Sequence, residues 1–474
     1  MLTRLEVDGF KTFEGLAVDF MPFTAILGNN AAGKSNLFDV IQLLSLLATR
    51  DVAEAFKQMR GEPLELFRQT PNGRATRMSL AVEVLVDPVV RDPWGSEVAV
   101  NHTRIRYEVE LERREVRPGV PRILVAREAA MPIMRKEDAW ARAVQPSPAF
   151  RAAYLKYGRQ KPLLTMDKGA GGEPVFSIHQ DGKQGRSRPA SAAGATVLYS
   201  ITNAEFPLLF ALREEMRHWR LLQLDPALLR RPTPVTASDV LEADGSNLAA
   251  VLARMKAETR TEAQPAGILS DIAATLNNLV SGVRRLDADL HDASREYRIE
   301  LTMRDGLPFS SRVLSDGTLR ILALLTLLHD PGHRGVLCFE EPENGVHPGR
   351  VRELVQQLRG MVTDPAGHQE GGAVVPLSQL FLNSHSPVVL SALLERHRDG
   401  GLEAAEGAVL FADTVTVVDG ERHERRRRTR LRPVRSVVQQ SLFDGEGAQA
   451  HAGSVQPVSE AEVQDILRTV NPEG

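Results

Sequence analysis

The 474-residue sequence predicts an α/β fold: a mixed sheet with flanking helices and an antiparallel β part, split by a largely helical insertion. Three observations predict it. Gly28 to Ser35 reads G-x-x-x-x-G-K-S, the P-loop pattern, between an extended apolar run, Phe23 to Leu27, and a helical run, Asn36 to Leu47, that is apolar nearly all round. Val336 to Phe339 is continuously apolar, as a strand covered on both faces is, and it ends in Glu340-Glu341. Between these two runs, from about Ala129 to about Glu300, the pattern changes character.

The elements follow in chain order. Residues 2 to 20 read as two strands around a turn, with Gly9-Phe10-Lys11-Thr12-Phe13 between them. After the P-loop helix comes a charged helix, Val52 to Met59. The stretches 76–87 and 103–113 are β-rich, with alternation in Arg104 to Leu111, and suit an antiparallel sheet. In the insertion, Lys168 to Gly194 is rich in Gly and Ser and reads as a mobile loop. Phe206 to Trp219 and Leu248 to Lys256 read as helices, the second opened by the turn Asp244-Gly245-Ser246-Asn247. No sustained heptads mark a coiled-coil arm. The α/β pattern resumes at Tyr297 to Met303 and continues with a helix from Pro348 to Met361, a short strand Leu380 to Leu382 and later strands over Ala408 to Val418. The expected organisation is an N-terminal lobe, 1–128, the insertion, 129–299, a C-terminal lobe, 300–432, and a polar tail, 433–474, with a short helix near Glu460 to Leu467.

Composition is that of an ordinary globular chain, 42% hydrophobic and 25% charged. The formal net charge of −3 provides no global basic field. Cys338 is the only cysteine, which excludes an intrachain disulfide and any multi-cysteine metal site. The first residues lack the apolar core of a signal peptide, and no apolar run is long enough to span a bilayer, so the expected setting is the cytoplasm, away from the membrane.

The residue types carry the chemistry. Gly28 and Gly33 let the backbone curl so that successive N–H groups point at phosphate oxygens, and the positive end of the next helix adds to that field. Lys34 reaches the β- and γ-phosphates, and the Ser35 hydroxyl is a ligand for Mg2+. Glu340 and Glu341 stand at the carboxyl edge of a parallel sheet; one carboxylate suits the metal shell, the other an attacking water. Leu314-Ser315-Asp316-Gly317-Thr318 opens an apolar helix and offers hydroxyl and N–H donors to an anion, although taken alone it reads as a simple N-cap. Asn383-Ser384-His385-Ser386-Pro387 puts a histidine at a strand end, where the expected role is a γ-phosphate contact. The basic run Arg425 to Arg428, with Arg430, Arg432 and Arg435 beyond, reads either as phosphate contacts to DNA or as a solvated hairpin strand.

Together these motifs resemble a family. Gly28 to Ser35 resembles Walker A, Leu314 to Thr318 the ABC signature, Val336 to Glu341 Walker B, and His385 the switch histidine. Their order, the Phe-Lys-x-Phe opening and the run Glu-Pro-Glu-Asn-Gly-Val-His-Pro look like the SMC/RecF/OLD branch of ABC ATPases, nearest the stand-alone bacterial AAA-family ATPases related to OLD proteins. In the insertion the resemblance extends only to Asp225 to Pro232 and Asp244 to Leu252. It implies a P-loop ABC-type ATPase head working as a homodimer, or a higher even oligomer. ATP and Mg2+ would be held by Gly28, Asn29, Asn30, Ala31, Ala32, Gly33, Lys34, Ser35 and Asn36, with Glu340 on the metal. Glu341 and His385 would be catalytic, and Ser315 and Gly317 of one copy would close on the ATP of the other. Glu340 stands where the family has aspartate, and Asp316 and Thr318 depart from the transporter-type signature. The lobe-bridging glutamine has only Gln69 as a candidate. OLD nucleases carry a Toprim domain after the ATPase, for which too little chain follows His385, so the expected nuclease or effector is a separate protein. The implied function is ATP-driven control of that partner on DNA, in phage defence or repair. The rival reading is a nucleotide-gated scaffold with little turnover; a transporter subunit fits least.

Overall fold

Phe23–Gly28, buried along its whole length, is the middle strand of a seven-stranded sheet. The strands Ser378–Ser384 and Val409–Asp419 flank it, both parallel to it. Beyond Ser378–Ser384 the parallel part continues with Gly335–Glu340 and Arg220–Leu222. On the other side Glu424–Arg435 pairs antiparallel with Val409–Asp419, and Val458–Ser459 ends that side. The computed structural model describes residues 1–70, 73–158, 161–169, 171–180, 183–360, 362–367, 376–395, 409–419, 424–435 and 457–470.

Alternate residues of the central strands feed two different cores. Ile26, Val336, Cys338, Phe381 and Leu410 enter the first; Ala25, Leu27, Leu337, Phe339, Leu382 and Phe411 enter the second. Neither face meets water, which is why these strands read as continuous apolar runs. Each large side chain buried this way contributes about 1.5–3 kcal/mol relative to exposure. The first core joins the sheet, through the helix Lys34–Thr49, to an eight-stranded antiparallel sheet. The second lies under the helices Leu248–Thr259, Leu269–Leu279, Asp316–His329 and Val351–Gly360.

The insertion is mixed rather than mainly helical. Lys168 to Gly194, expected as a mobile loop, contains the strands Pro174–Gln180 and Lys183–Pro189, which extend the antiparallel sheet from Leu164–Lys168. Its glycines and serines mask the alternation that matters: Phe176 and Ile178 are buried on one face. A side chain at Gly185 would meet the Ile178 carbonyl at 2.3 Å, so this glycine is there for close strand approach. The insertion also supplies Arg220–Leu222 to the parallel sheet and the hairpin strand Val283–His291, paired with Glu296–Met303. Of the tail, the helix Glu460–Val470 is present where one was expected, and residues 436–456 lie outside those described. Among the described residues no helix is long and apolar enough to cross a membrane.

Candidate active site

The glycine loop connects Phe23–Gly28 to the helix Lys34–Thr49. Gly33, at φ 91°, is the N-cap of that helix, and no side chain caps it. Ala31 also adopts the left-handed region, at φ 62°. First-turn N–H groups without a side-chain cap at a helix start are what a phosphate binds. Lys34 is buried, and its ammonium donates to the carbonyls of Gly28 and, at 2.9 Å, Asn29. Burial pulls its pKa below the usual lysine value, opposed by Glu341, Glu343 and Glu340, which lie close enough to be felt. Gly28 itself packs against the Ala412 carbonyl, where a Cβ would come within 2.3 Å.

A cavity of about 330 Å3 opens over this loop, lined by Asn29, Asn30, Ala31, Gly33, Lys34, Ser35 and Asn36 on one side and by Glu340, Glu341 and Asn383 on the other. Parallel pairing sets this convergence: Glu340 is in register with Asn383, and Asn383 with Ile26. Gly28 and Ala32, both buried, do not line the cavity.

The acidic side is a hydrogen-bonded network. Asn383 donates from Nδ2 to Glu340 Oε1 at 2.9 Å, and its backbone carbonyl accepts from Glu341 N at 2.9 Å. Glu341 adopts φ 50°, a strained conformation for a non-glycine residue. Its carboxylate is held from two sides, by Asn344 Nδ2 at 2.7 Å and by His385 Nδ1 at 3.0 Å. Glu343 accepts from the Ser384 hydroxyl, its Oε2 is buried with no partner, and burial raises its pKa. Three carboxylates around one lysine leave the site acidic. That excess suits a divalent cation arriving with a triphosphate. Among the described residues no group of three or more His, Cys, Asp and Glu forms a ready-made metal cage. Mg2+ commonly binds through one or two protein oxygens plus phosphate oxygens and waters, so Ser35 and Glu340 fit as its protein ligands.

Ser315 and Gly317 do not line this cavity. Ser315 is exposed and caps its helix, accepting from Thr318 N at 3.2 Å, as the N-cap reading had it. Gly317 lies against Gly345: a Cβ on Gly317 would stand 2.4 Å from the Gly345 carbonyl. Gln69 is exposed in a two-stranded pair with Gly73–Arg74 and is not at the cavity. In the arginine run, Arg427 and Arg428 are exposed, whereas Arg430 and Arg432 are bound to Asp413 at 2.6 and 3.0 Å. The side chains of Arg425, Arg426 and Arg435 lie outside those described.

Sequence reasoning missed Asn383 and Asn344, although both stand inside runs it singled out. It also missed a link from the arginine strand to the glycine loop. Thr429 Oγ1 meets Thr12 Oγ1 at 2.7 Å, Asn36 donates to Thr12 at 3.0 Å, and a Cβ at Gly33 would strike Thr429. Asn36, expected as a nucleotide ligand, lines the cavity with its amide turned to Thr12.

Residues 160–391 match the family model described as "AAA domain, putative AbiEii toxin, Type IV TA system". That stretch, just under half of the chain, is similar to AAA domains. It holds Ser315, Glu340, Glu341 and His385; the glycine loop lies before it. A search of curated proteins returns no match. Similar solved structures include the SmcHead bound to the C-winged helix domain of ScpA, at 12% identity over 91% of this chain and 98% of that one, TM-score 0.45. The SMC head domain from Thermotoga maritima aligns at 11% identity over 92% and 99%, TM-score 0.35. The Smc head domain with an extended coiled coil, bound to the C-terminal domain of ScpA derived from Pyrococcus furiosus, aligns at 11% over 93% and 97%, TM-score 0.44.

Proposed function

We propose that this protein is an ATP-hydrolysing switch in which two copies close around ATP, each supplying Ser315 and Gly317 to the nucleotide held by the other. One observation carries the reading. The loop Asn29–Asn36, the two acids and Asn383 converge on a single cavity, while the exposed Ser315 stands outside it. That Ser315 is exposed outside a cavity already holding Lys34, Ser35 and the acids supports its delivery to the nucleotide of a second copy.

In the proposed chemistry the N–H groups of the loop and Lys34 hold the β- and γ-phosphates, Lys34 exchanging its two carbonyl partners for phosphate oxygens. Mg2+, on Ser35 and Glu340, would neutralise phosphate charge. Glu341 orients the attacking water and takes its proton. His385 and Asn344 fix the Glu341 carboxylate from either side, so its position is set before the nucleotide arrives.

The partner reading is a separate effector protein acting on DNA, in phage defence or repair. The matched model's description as a putative toxin of a toxin–antitoxin system supports a paired gene product. Exposed Arg427 and Arg428 support phosphate contact.

Glu341→Gln tests the switch. It keeps size and hydrogen bonding but removes the base, so hydrolysis should fall by a factor on the order of 10² to 10⁴ while ATP still binds. Closed dimer should then accumulate, read as an ATP-dependent doubling of mass by light scattering. Parental hydrolysis in Glu341→Gln would move the base to Glu340 or Glu343. Lost hydrolysis without added dimer, from a parent that is monomeric, would remove the sandwich.

A further inference from the structure

The acid in the signature turn, Asp316, has a counter-ion from the insertion. Arg230 follows the short helical turn Pro226–Leu229. Its guanidinium donates through Nη2 to Asp316 Oδ1 and to the Leu314 carbonyl at 2.9 Å, and through Nη1 to the Pro226 carbonyl at 3.0 Å. The Arg230 carbonyl accepts from the Ser311 hydroxyl at 2.9 Å, fastening the segment that leads into the turn. On its other side the turn rests on Gly345 through Gly317, backbone against backbone. The residues on both sides of Ser315 are therefore bound to Arg230.

Charge gives this contact its purpose. Asp316 is exposed, one residue from the serine that, on the reading above, approaches the triphosphate of a second copy. An uncancelled carboxylate there would be driven against several negative phosphate oxygens as water is expelled from the interface, where charges act most strongly. A guanidinium on the same carboxylate removes the net charge and adds two fixed bonds to the turn. We propose that Arg230 is the positioning residue of the signature turn: it holds the Leu314 carbonyl and cancels the charge of Asp316, so that Ser315 can close on the ATP of a second copy. This assigns the insertion a direct part in assembling the composite site, and it rests on the sandwich reading.

The test uses the full chain in the Glu341→Gln background, following dimer mass by light scattering against ATP concentration. Nucleotide binding to each chain is followed separately with a fluorescent ATP analogue. Arg230→Met keeps the length of the side chain and removes its charge. The ATP needed for half-maximal dimer should rise on the order of tenfold, while affinity for the analogue changes by less than about twofold, because the pair is not in the nucleotide cavity. Adding Asp316→Asn to Arg230→Met should recover most of the lost dimer, which a merely structural arginine would not allow. Arg230→Lys, which retains charge but not the two-bond geometry, should fall between. Should Arg230→Met not fold, Asp316→Asn alone decides. With Arg230 intact it should dimerise at equal or lower ATP, and a requirement raised tenfold would make Asp316 itself the contact and overturn the proposal. Equal dimerisation by Arg230→Met and its parent, or no recovery on adding Asp316→Asn, also overturns it. A Glu341→Gln parent that never dimerises with ATP overturns the sandwich reading and this proposal with it; dimerisation of that parent confines any failure to Arg230.

Discussion

At His218 one proton separates a bonded side chain from an unpaired one. Its Nε2 accepts from Arg334 Nε at 3.1 Å and its Nδ1 faces the Glu214 carbonyl, so the neutral ring satisfies both neighbours. Burial, with Arg334 beside it, lowers its pKa to about 3. The unfolded chain takes up this proton near the usual histidine value, about 6.5, and the folded chain does not. The associated stability is therefore complete above pH 6.5 and is lost as pH falls from there towards 3, at up to about 1.4 kcal/mol per pH unit. His333, lowered to about 4 by burial, adds in the same direction. His218→Gln offers an amide oxygen to Arg334 and an N–H to Glu214 but does not titrate. Melting temperatures between pH 7.5 and 5 should fall less steeply for it than for the parent. Equal slopes would mean that His218 is not the group being charged. Through its Cβ and backbone carbonyl His218 also packs on Gly335, the first residue of the strand that ends in Glu340.

Two elements meet backbone to backbone where the first turn of the helix Asp316–His329 touches the loop after Gly335–Glu340. Gly345, at φ 88°, leaves no room for a Cβ: one would fall 2.3 Å from the Gly317 Cα. Gly306, at φ 82°, has open space around the same position. The pair separates backbone strain from collision. Gly306→Ala should cost about 1 to 2 kcal/mol, the left-handed penalty alone. Gly345→Ala should cost about 2 to 5 kcal/mol, because overpacking is added. Urea midpoints at constant slope measure both. Similar costs at the two positions would mean that the loops part easily and that the contact does not fix Glu341 to Glu343.

Across the whole molecule, the arginine strand Glu424–Arg435 carries the exposed Arg427 and Arg428 directly before Thr429, which is seated on the glycine loop. Arg430 and Arg432 are engaged by Asp413, and Arg432 also by Glu462 at 3.4 Å, which leaves Arg427 and Arg428 as the exposed arginines among the described side chains of this strand. If they meet DNA phosphates, Arg427→Gln with Arg428→Gln should flatten the log–log salt dependence of DNA binding by about one unit per lost contact. ATP hydrolysis without DNA should persist. Equal salt slopes for variant and parent would return the strand to a solvated edge.

The residues alone determined the local chemistry and the sheet type. A G-x-x-x-x-G-K-S loop has one strong structural context, strand to helix, and continuous apolar runs such as Val336 to Phe339 suit strands covered on both faces. Phe23–Gly28, Gly335–Glu340 and Ser378–Ser384 accordingly stand where sequence reading put strands. The hairpin between Pro174 and Pro189 was illegible because its alternation is carried by only Phe176 and Ile178 among glycines and charges, and it is stabilised by a neighbouring strand that sequence alone does not specify. Tertiary structure decided the rest. Parallel register brings Asn383 beside Glu340, and a turn in the insertion brings Arg230 to Asp316, 86 positions away. Periodicity reports which face of an element is covered, not by what. Partners chosen by packing across such distances leave no local trace in the chain.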